Sequence, residues 1–189
     1  MAAEYQMKLA PQTLDNADVK AKPLLEKAHA KLGFVPKMYE GMAKAPGVLD
    51  TYLHGYELFR EESGFAPPEQ EAILLTISRL NGCKYCMAAH SMLGEKMSQV
   101  PADVLEALRN DQPIPDERLA ALSAFTRVMF ETRGMPTQRD VDAFLAAGFE
   151  EQHVLQIVLA LAVKTLSNYS NHINHPELDE AFAGHVWQG

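Results

Sequence analysis

Two cysteines, Cys83 and Cys86, are the only ones in the chain, and they lie three positions apart. His90 follows Cys86 by four residues, and Glu71 precedes Cys83 by twelve. A thiolate is the reactive form of cysteine, so chemistry at such a pair depends on what stabilises that anion and what takes its proton. The spacing supplies candidates for both. Asn81-Gly82 ends one helix and starts the next, so Cys83 falls at or just inside a helix start, where free backbone N–H groups and the helix dipole favour a thiolate. On a helix the offsets from Cys83 to Cys86 to His90 set the three side chains on one face. The imidazole can then take a proton from Cys86 directly or through one water. The two sulfurs are near enough in sequence to close an intramolecular disulfide. If the turn folds its two helices together, Glu71 can orient His90 and favour its protonated form, the base-plus-orienter logic of a triad with sulfur as nucleophile.

The elements that must position these residues are helices. No clear run of alternating β-branched and polar residues appears. Helical spacing, prolines at helix starts and glycines past helix ends mark helices near 18–31, 36–44, 46–62, 67–81, 83–97, 101–109, 116–132, 137–147, 150–172 and 177–184. Pro36, Pro46 and Pro101 suit first turns, Thr137 with Asp140 forms a variant capping box, and Gly33, Gly64, Gly134 and Gly148 suit left-handed caps. The stretch from Val154 to Leu166 is apolar on nearly every face, as expected of a helix at the centre of its fold or at a subunit interface. The expected fold is all-α: an irregular N-terminal arm over 1–17, then one helical domain over 18–189. A shift of 82 residues lays Ala72–Leu75 over Val154–Ile157 and His90 over His172, an echo that admits an internal duplication.

The whole chain narrows the function further. Its 189 residues suit one domain, and 47 % hydrophobic content supports a core. A net charge of −8 argues against nucleic-acid binding. No stretch approaches the roughly 20 apolar residues needed to cross a bilayer. The first twenty residues do not read as a signal peptide, so the expected location is the cytoplasm. One close cysteine pair is not a structural disulfide framework.

At Glu71, Cys83, Cys86 and His90 the chain resembles the AhpD-like alkylhydroperoxidase branch of the carboxymuconolactone decarboxylase family. That family's pattern is a glutamate, eleven residues, Cys-x-x-Cys, three residues and a histidine. Tyr85 and the Ala88-Ala89-His90 run also resemble its peroxidase-related subgroup, and the likeness extends from Gly33-Phe34-Val35-Pro36 to Asn171-His172. It implies an all-helical homo-oligomer that reduces peroxides with thiols. It assigns Cys86 as the peroxidatic cysteine, Cys83 as the resolving one, His90 as the base and Glu71 as the end of a proton relay. The helix-start argument alone would instead activate Cys83. AhpD carries a histidine between its cysteines where this chain has Tyr85, a departure that bears on activity and reductant. The implied partners are a peroxide and an external dithiol or adapter protein, with no cofactor.

Other readings stand beside this one. Zinc would find Cys83, Cys86 and His90, but the fourth ligand would be Glu71, an uncommon set, so no metal is expected. No flavin, haem or nicotinamide site and no glycine-rich phosphate loop is visible. A redox sensor, a helical interaction protein and a lactone decarboxylase are the rival functions, and the Cys pair counts against the last. Tyr85 reads as packing or pocket lining. Met87, Met92 and Met97 read as core fillers. Asn168, His172, His175 and Trp187 read as a C-terminal cluster for capping and interface packing. His54 and His153 have no evident partner.

Overall fold

The computed structural model describes residues 4–189. Nine α-helices and one short 3₁₀ helix follow in order among the described residues: α1 Lys22–Leu32, α2 Lys37–Met42, α3 Pro46–Glu62, α4 Pro67–Leu80, α5 Lys84–Lys96, α6 Ala102–Asn110, α7 Glu117–Glu131, α8 Gln138–Ala146, α9 Glu151–Asn174 and the 3₁₀ helix Glu180–His185. The all-α expectation holds. Prolines open α1, α3 and α4 as expected of residues that lack the N–H a first turn cannot use. Thr137 caps α8, donating its N–H to Asp140 at 2.8 Å and accepting from Asp140 N–H at 3.3 Å.

Three expectations are corrected. The 177–184 helix is a 3₁₀ turn displaced to Glu180–His185, because Pro176 follows directly on the left-handed His175 that ends α9. The first helix starts at Lys22, not 18: Asp18 sits in the turn before it and accepts from the N–H groups of Lys20 and Ala21 at 2.8 and 2.9 Å. The duplication fails, since Val154 and His172 share the single helix α9, whereas Ala72 and His90 lie on α4 and α5. The irregular segment before α1 is tied down by Met7 N–H to Ile173 carbonyl at 2.7 Å and Gln12 N–H to Glu40 carbonyl at 3.1 Å.

The core has two parts. The larger centres on α4, whose Ile73, Leu74, Leu75 and Ile77 are buried against α7, α6 and α9. Each such side chain contributes about 1.5–3 kcal/mol. The smaller part gathers Met38, Tyr39, Tyr52, Val163 and Phe182 around both cysteines. Helix α9 borders both. Its approach to α3 depends on Gly55, where a Cβ would lie 3.0 Å from Val163 Cγ2.

Candidate active site

The turn between α4 and α5 sets the cysteines. Cys83 N–H reaches back to Ser78 carbonyl at 2.9 Å and Gly82 N–H to Arg79 carbonyl at 2.9 Å. This is a Schellman closure, and it requires the left-handed conformation that Gly82 adopts at φ 66°. Cys83 therefore ends one motif and serves as N-cap of the next helix, with extended backbone at ψ 94°. Cys86 lies one turn inside α5. Both thiols are free and buried.

That turn corrects the single-face expectation. Cys86 and His90 do share a face of α5 and line one cavity of about 330 Å³, together with Tyr39, Tyr52, Tyr56 and Phe182. Cys83, as a non-helical cap, points elsewhere. It lines a second cavity of about 560 Å³ with Asn171, His172 and Trp187. Tyr85 borders both spaces. Its hydroxyl donates to buried Asp179 and its ring meets Phe182 edge-on at 5.8 Å.

Glu71 and His90 come together as the spacing suggested. His90 Nδ1 donates to Glu71 Oε2 at 2.9 Å, which leaves the Nε2 lone pair as the base. The other carboxylate oxygen accepts from Arg60 Nη2 at 2.5 Å and from Ser98 Oγ at 3.4 Å. Arg60 also donates to Tyr56 Oη at 2.6 Å and to Gln70 Oε1 at 3.0 Å. Burial pushes the Glu71 carboxyl up, but His90 and Arg60 bring it below the ordinary carboxylate range.

His90 does not follow the protonated-form expectation. Burial, then the charge of Lys164, hold its pKa below the usual histidine value, against the opposing pull of Glu71. Arg60 takes up much of the carboxylate's charge, so Glu71 orients the imidazole without charging it. At neutral pH His90 is a neutral base, the form that accepts a proton. Among the described residues no direct hydrogen bond joins it to Cys86.

The charge that favours a thiolate comes from a residue that local spacing does not single out. Lys164 on α9 is 1 % exposed, and its Nζ has no hydrogen-bond partner among the described residues. One and two turns further along the same face are Asn168 and Asn171. Asn171 Nδ2 donates to Cys86 Sγ at 3.3 Å, to Cys83 Sγ at 3.6 Å and to Met38 Sδ at 3.2 Å. Asn168 accepts from Asn81 at 2.9 Å. A signal does exist in the sequence: Lys164 is the one charged residue inside the apolar stretch from Val154 to Leu166, and Asn168 and Asn171 follow it at helical spacing. Burial alone would raise the Cys86 thiol. The neighbouring Cys83 thiol, Lys164, His90 and Asn168 together bring it well below the ordinary thiol range. Cys83 moves the other way, raised by its hydrogen bond to Cys86 and by burial. The helix-start argument for Cys83 is thus outweighed: the Cys86 N–H and the helix end do favour its thiolate, but its hydrogen bond to the Cys86 sulfur and its burial raise it further.

The expected C-terminal cluster separates into parts. Asn168 belongs to the sulfur site, while His175 caps α9 and bonds Tyr5 carbonyl at 3.1 Å. Trp187 Nε1 donates to Arg109 carbonyl at 2.9 Å. His153 accepts from Glu150 N–H at 2.9 Å at the start of α9, and its ring lies 4.6 Å from that of Phe65. Met87 fills the core, but Met97 is 72 % exposed at the cavity's edge, a correction to its core assignment.

Residues 46–127, which carry Glu71, Cys83, Cys86 and His90, match the model of the carboxymuconolactone decarboxylase family. No curated protein matches the chain. Among solved structures, an uncharacterized peroxidase-related protein from Ralstonia eutropha JMP134, described as an alkylhydroperoxidase AhpD core, superposes with a TM-score of 0.81 at 22 % identity, over 96 % of this chain and 97 % of that one. A peroxidase-related protein from Silicibacter sp. TM1040 gives 0.78 at 20 % identity, over 95 % and 96 %. The debrominase Bmp8, in a cysteine-to-alanine form with 2,3,4-tribromopyrrole bound, gives 0.75 at 16 % identity, over 96 % of both chains. The family match thus covers the motif-bearing segment, and the chain as a whole is built on an AhpD-like fold.

Proposed function

We propose that the protein is a thiol-dependent peroxidase with Cys86 as its nucleophile. The observation that carries this is the opening of Cys86 and the neutral base His90 into one tyrosine-lined cavity, while the resolving candidate Cys83 shares a hydrogen-bond donor, Asn171, with it. In the cycle, Cys86 thiolate attacks the outer peroxide oxygen, the O–O bond breaks, and the alcohol leaves with a proton relayed through His90. Cys86 becomes a sulfenic acid. Cys83 thiol then attacks that sulfur, water leaves, and a disulfide forms. An external dithiol supplies two electrons and two protons to restore the pair. Glu71 and Arg60 hold His90 in the tautomer the cycle needs.

The test is peroxide consumption with a series of dithiols. Wild type should turn over, and Cys86→Ser should lose turnover altogether. Loss in Cys83→Ser but not Cys86→Ser would reverse the roles, and no turnover with any peroxide would end the reading.

A second reading has its own support. A cavity walled by Tyr39, Tyr52 and Tyr56 suits a flat aromatic ring, and one similar structure is a debrominase. The same dithiol pair would then replace an aryl halide bond with hydrogen, releasing halide and a proton. Halide release from bromopyrroles separates the two. The protein works in this proposal as a homo-oligomer in a reducing cytoplasm. The exposed α9 residues Leu155, Val158 and Tyr169 are the proposed subunit contact, and sedimentation showing only monomer would remove it.

A further inference from the structure

The two sulfurs face different spaces. The cavity that reaches Cys86 and the one that reaches Cys83 share one lining residue, Tyr85. That residue is fixed from two directions, by its hydroxyl to Asp179 and its ring against Phe182. On the second cavity's far side, Trp187 is held through Arg109, whose guanidinium also bonds Ser91 at 2.5 Å and Val186 carbonyl at 2.9 Å. Both walls are therefore built parts of the fold. We propose that the substrate and the reductant use separate openings: the oxidant reaches Cys86 through the tyrosine-lined cavity, and the reducing dithiol attacks Cys83 through the space between Asn171, His172 and Trp187.

This rests on the thiol-peroxidase reading and adds to it the route and point of attack of its second half. The chemistry of exchange points the same way as the geometry. A thiolate attacking a disulfide prefers the sulfur whose partner leaves more easily, and the better leaving thiolate is the better stabilised one. Asn171 Nδ2 lies closer to Cys86 Sγ, at 3.3 Å, than to Cys83 Sγ, at 3.6 Å, and so favours Cys86 as the departing thiolate, which puts attack at Cys83. The reductant's first thiolate forms a bond to Cys83 Sγ, the Cys83–Cys86 bond breaks, and Cys86 departs as a thiolate. The reductant's second thiol then attacks its own first sulfur. Cys83 leaves and takes a proton, and the reductant departs as its cyclic disulfide, two electrons poorer. Cys83 lies at the floor of its cavity, 1 % exposed, so the occupant is a slender dithiol, free or on a flexible arm. Lys84, exposed at the start of α5, and the positive end of that helix favour an approaching thiolate.

The experiment starts from wild-type protein oxidised with diamide, which makes the disulfide without any peroxide and so separates this test from the peroxidase reading. Brief exposure to 2-mercaptoethanol with iodoacetamide present should leave the mercaptoethanol adduct on Cys83 and the alkyl group on Cys86, as mapped by mass spectrometry of peptides. An adduct on Cys86, or equal adducts on both, would overturn the proposal. His172→Trp, which fills the Cys83 cavity, should slow reduction by dithiothreitol about tenfold or more, as displacement of an attacking atom does. Its peroxide oxidation rate should be unchanged. Ala89→Phe, which fills the other cavity, should do the reverse. If both variants slow both half-reactions alike, the openings are not separate. Thioredoxin, whose sulfurs sit on a folded surface, should leave the disulfide intact, and rapid reduction by it would overturn the slender occupant.

Discussion

Glu71 on α4 and Lys164 on α9 are both buried charges beside the same imidazole, and they are treated in opposite ways. Glu71 is 0 % exposed and is met by Arg60 at 2.5 Å, His90 at 2.9 Å and Ser98 at 3.4 Å. Lys164 is 1 % exposed and is met by no hydrogen-bond acceptor among the described residues. Taking an ion out of water costs several kcal/mol, and only well-formed partners offset that cost. The carboxylate has them, so its network fixes geometry: the imidazole is aimed and its tautomer set. The ammonium has none in the dithiol state. The group best placed to become its counter-ion is Cys86 upon ionising. The paired charge holds the local geometry, and the unpaired one is free to meet the thiolate proposed for Cys86.

The comparison breaks most easily on stability, where the largest effect is expected. Glu71→Gln leaves Arg60, a partly exposed cation, without its carboxylate, and the loss should cost about 3 kcal/mol, the low end for breaking a buried pair. Lys164→Met, of similar length, removes a buried charge that no hydrogen bond holds, so its thermal midpoint should equal or exceed that of wild type. Thermal denaturation of the two variants decides the matter. A Lys164→Met protein as damaged as Glu71→Gln would show that the ammonium is structural, and the contrast would collapse.

The asymmetry also explains what the sequence disclosed. Helix order was legible because prolines, caps and the period of the apolar residues act locally, as at Thr137 and Pro67. Glu71 and His90 were legible because a short turn constrains the helices on either side of it. Lys164 and Asn171 were not, because they reach Cys86 across 78 and 85 positions, and local spacing carries no such information. The separate exposures of Cys83 and Cys86 depend on the Schellman closure at Gly82. A helical wheel drawn from Cys83 onward cannot show it, since Cys83 is not yet in the helix.

A second measurement sharpens the role given to Lys164. Iodoacetamide alkylation of Cys86, followed against pH, reads the thiolate fraction. Wild type should react at neutral pH nearly as fast as at high pH. Lys164→Met should move the profile toward the free-thiol value of about 8.5, and every pH unit of that displacement leaves about a tenth of the thiolate at lower pH. His90→Ala should move it less, because Lys164 is the stronger of the two influences on the Cys86 thiol. A larger effect from His90 than from Lys164 would transfer the activating role to the histidine.

The smallest expected effect is the acid dependence of stability that His90 contributes. Its surroundings are Glu71 on α4, Arg60 and Tyr56 on α3, Cys86 on α5 and Lys164 on α9, and the balance of burial and Lys164 against Glu71 holds it neutral in the fold. In the unfolded chain the same histidine titrates near 6.5. Below that pH the unfolded state therefore binds a proton that the folded state refuses, and stability falls as pH falls. The loss begins near the ordinary histidine value and stops growing once pH passes below the lowered folded value, where both states are protonated. Glu71 adds a later loss of the same sign, since its depressed carboxyl favours the fold only while ionised, above the ordinary carboxylate range. The two are separable by pH. Between pH 7.5 and 5.5, wild type should lose stability that His90→Asn does not lose. Lys164→Met should shrink the same loss by easing protonation of His90, and chemical denaturation at several pH values reads all three. A wild-type protein that gains stability over this range relative to His90→Asn would mean that Glu71, not Lys164, dominates the imidazole, and that the paired charge also drives the chemistry.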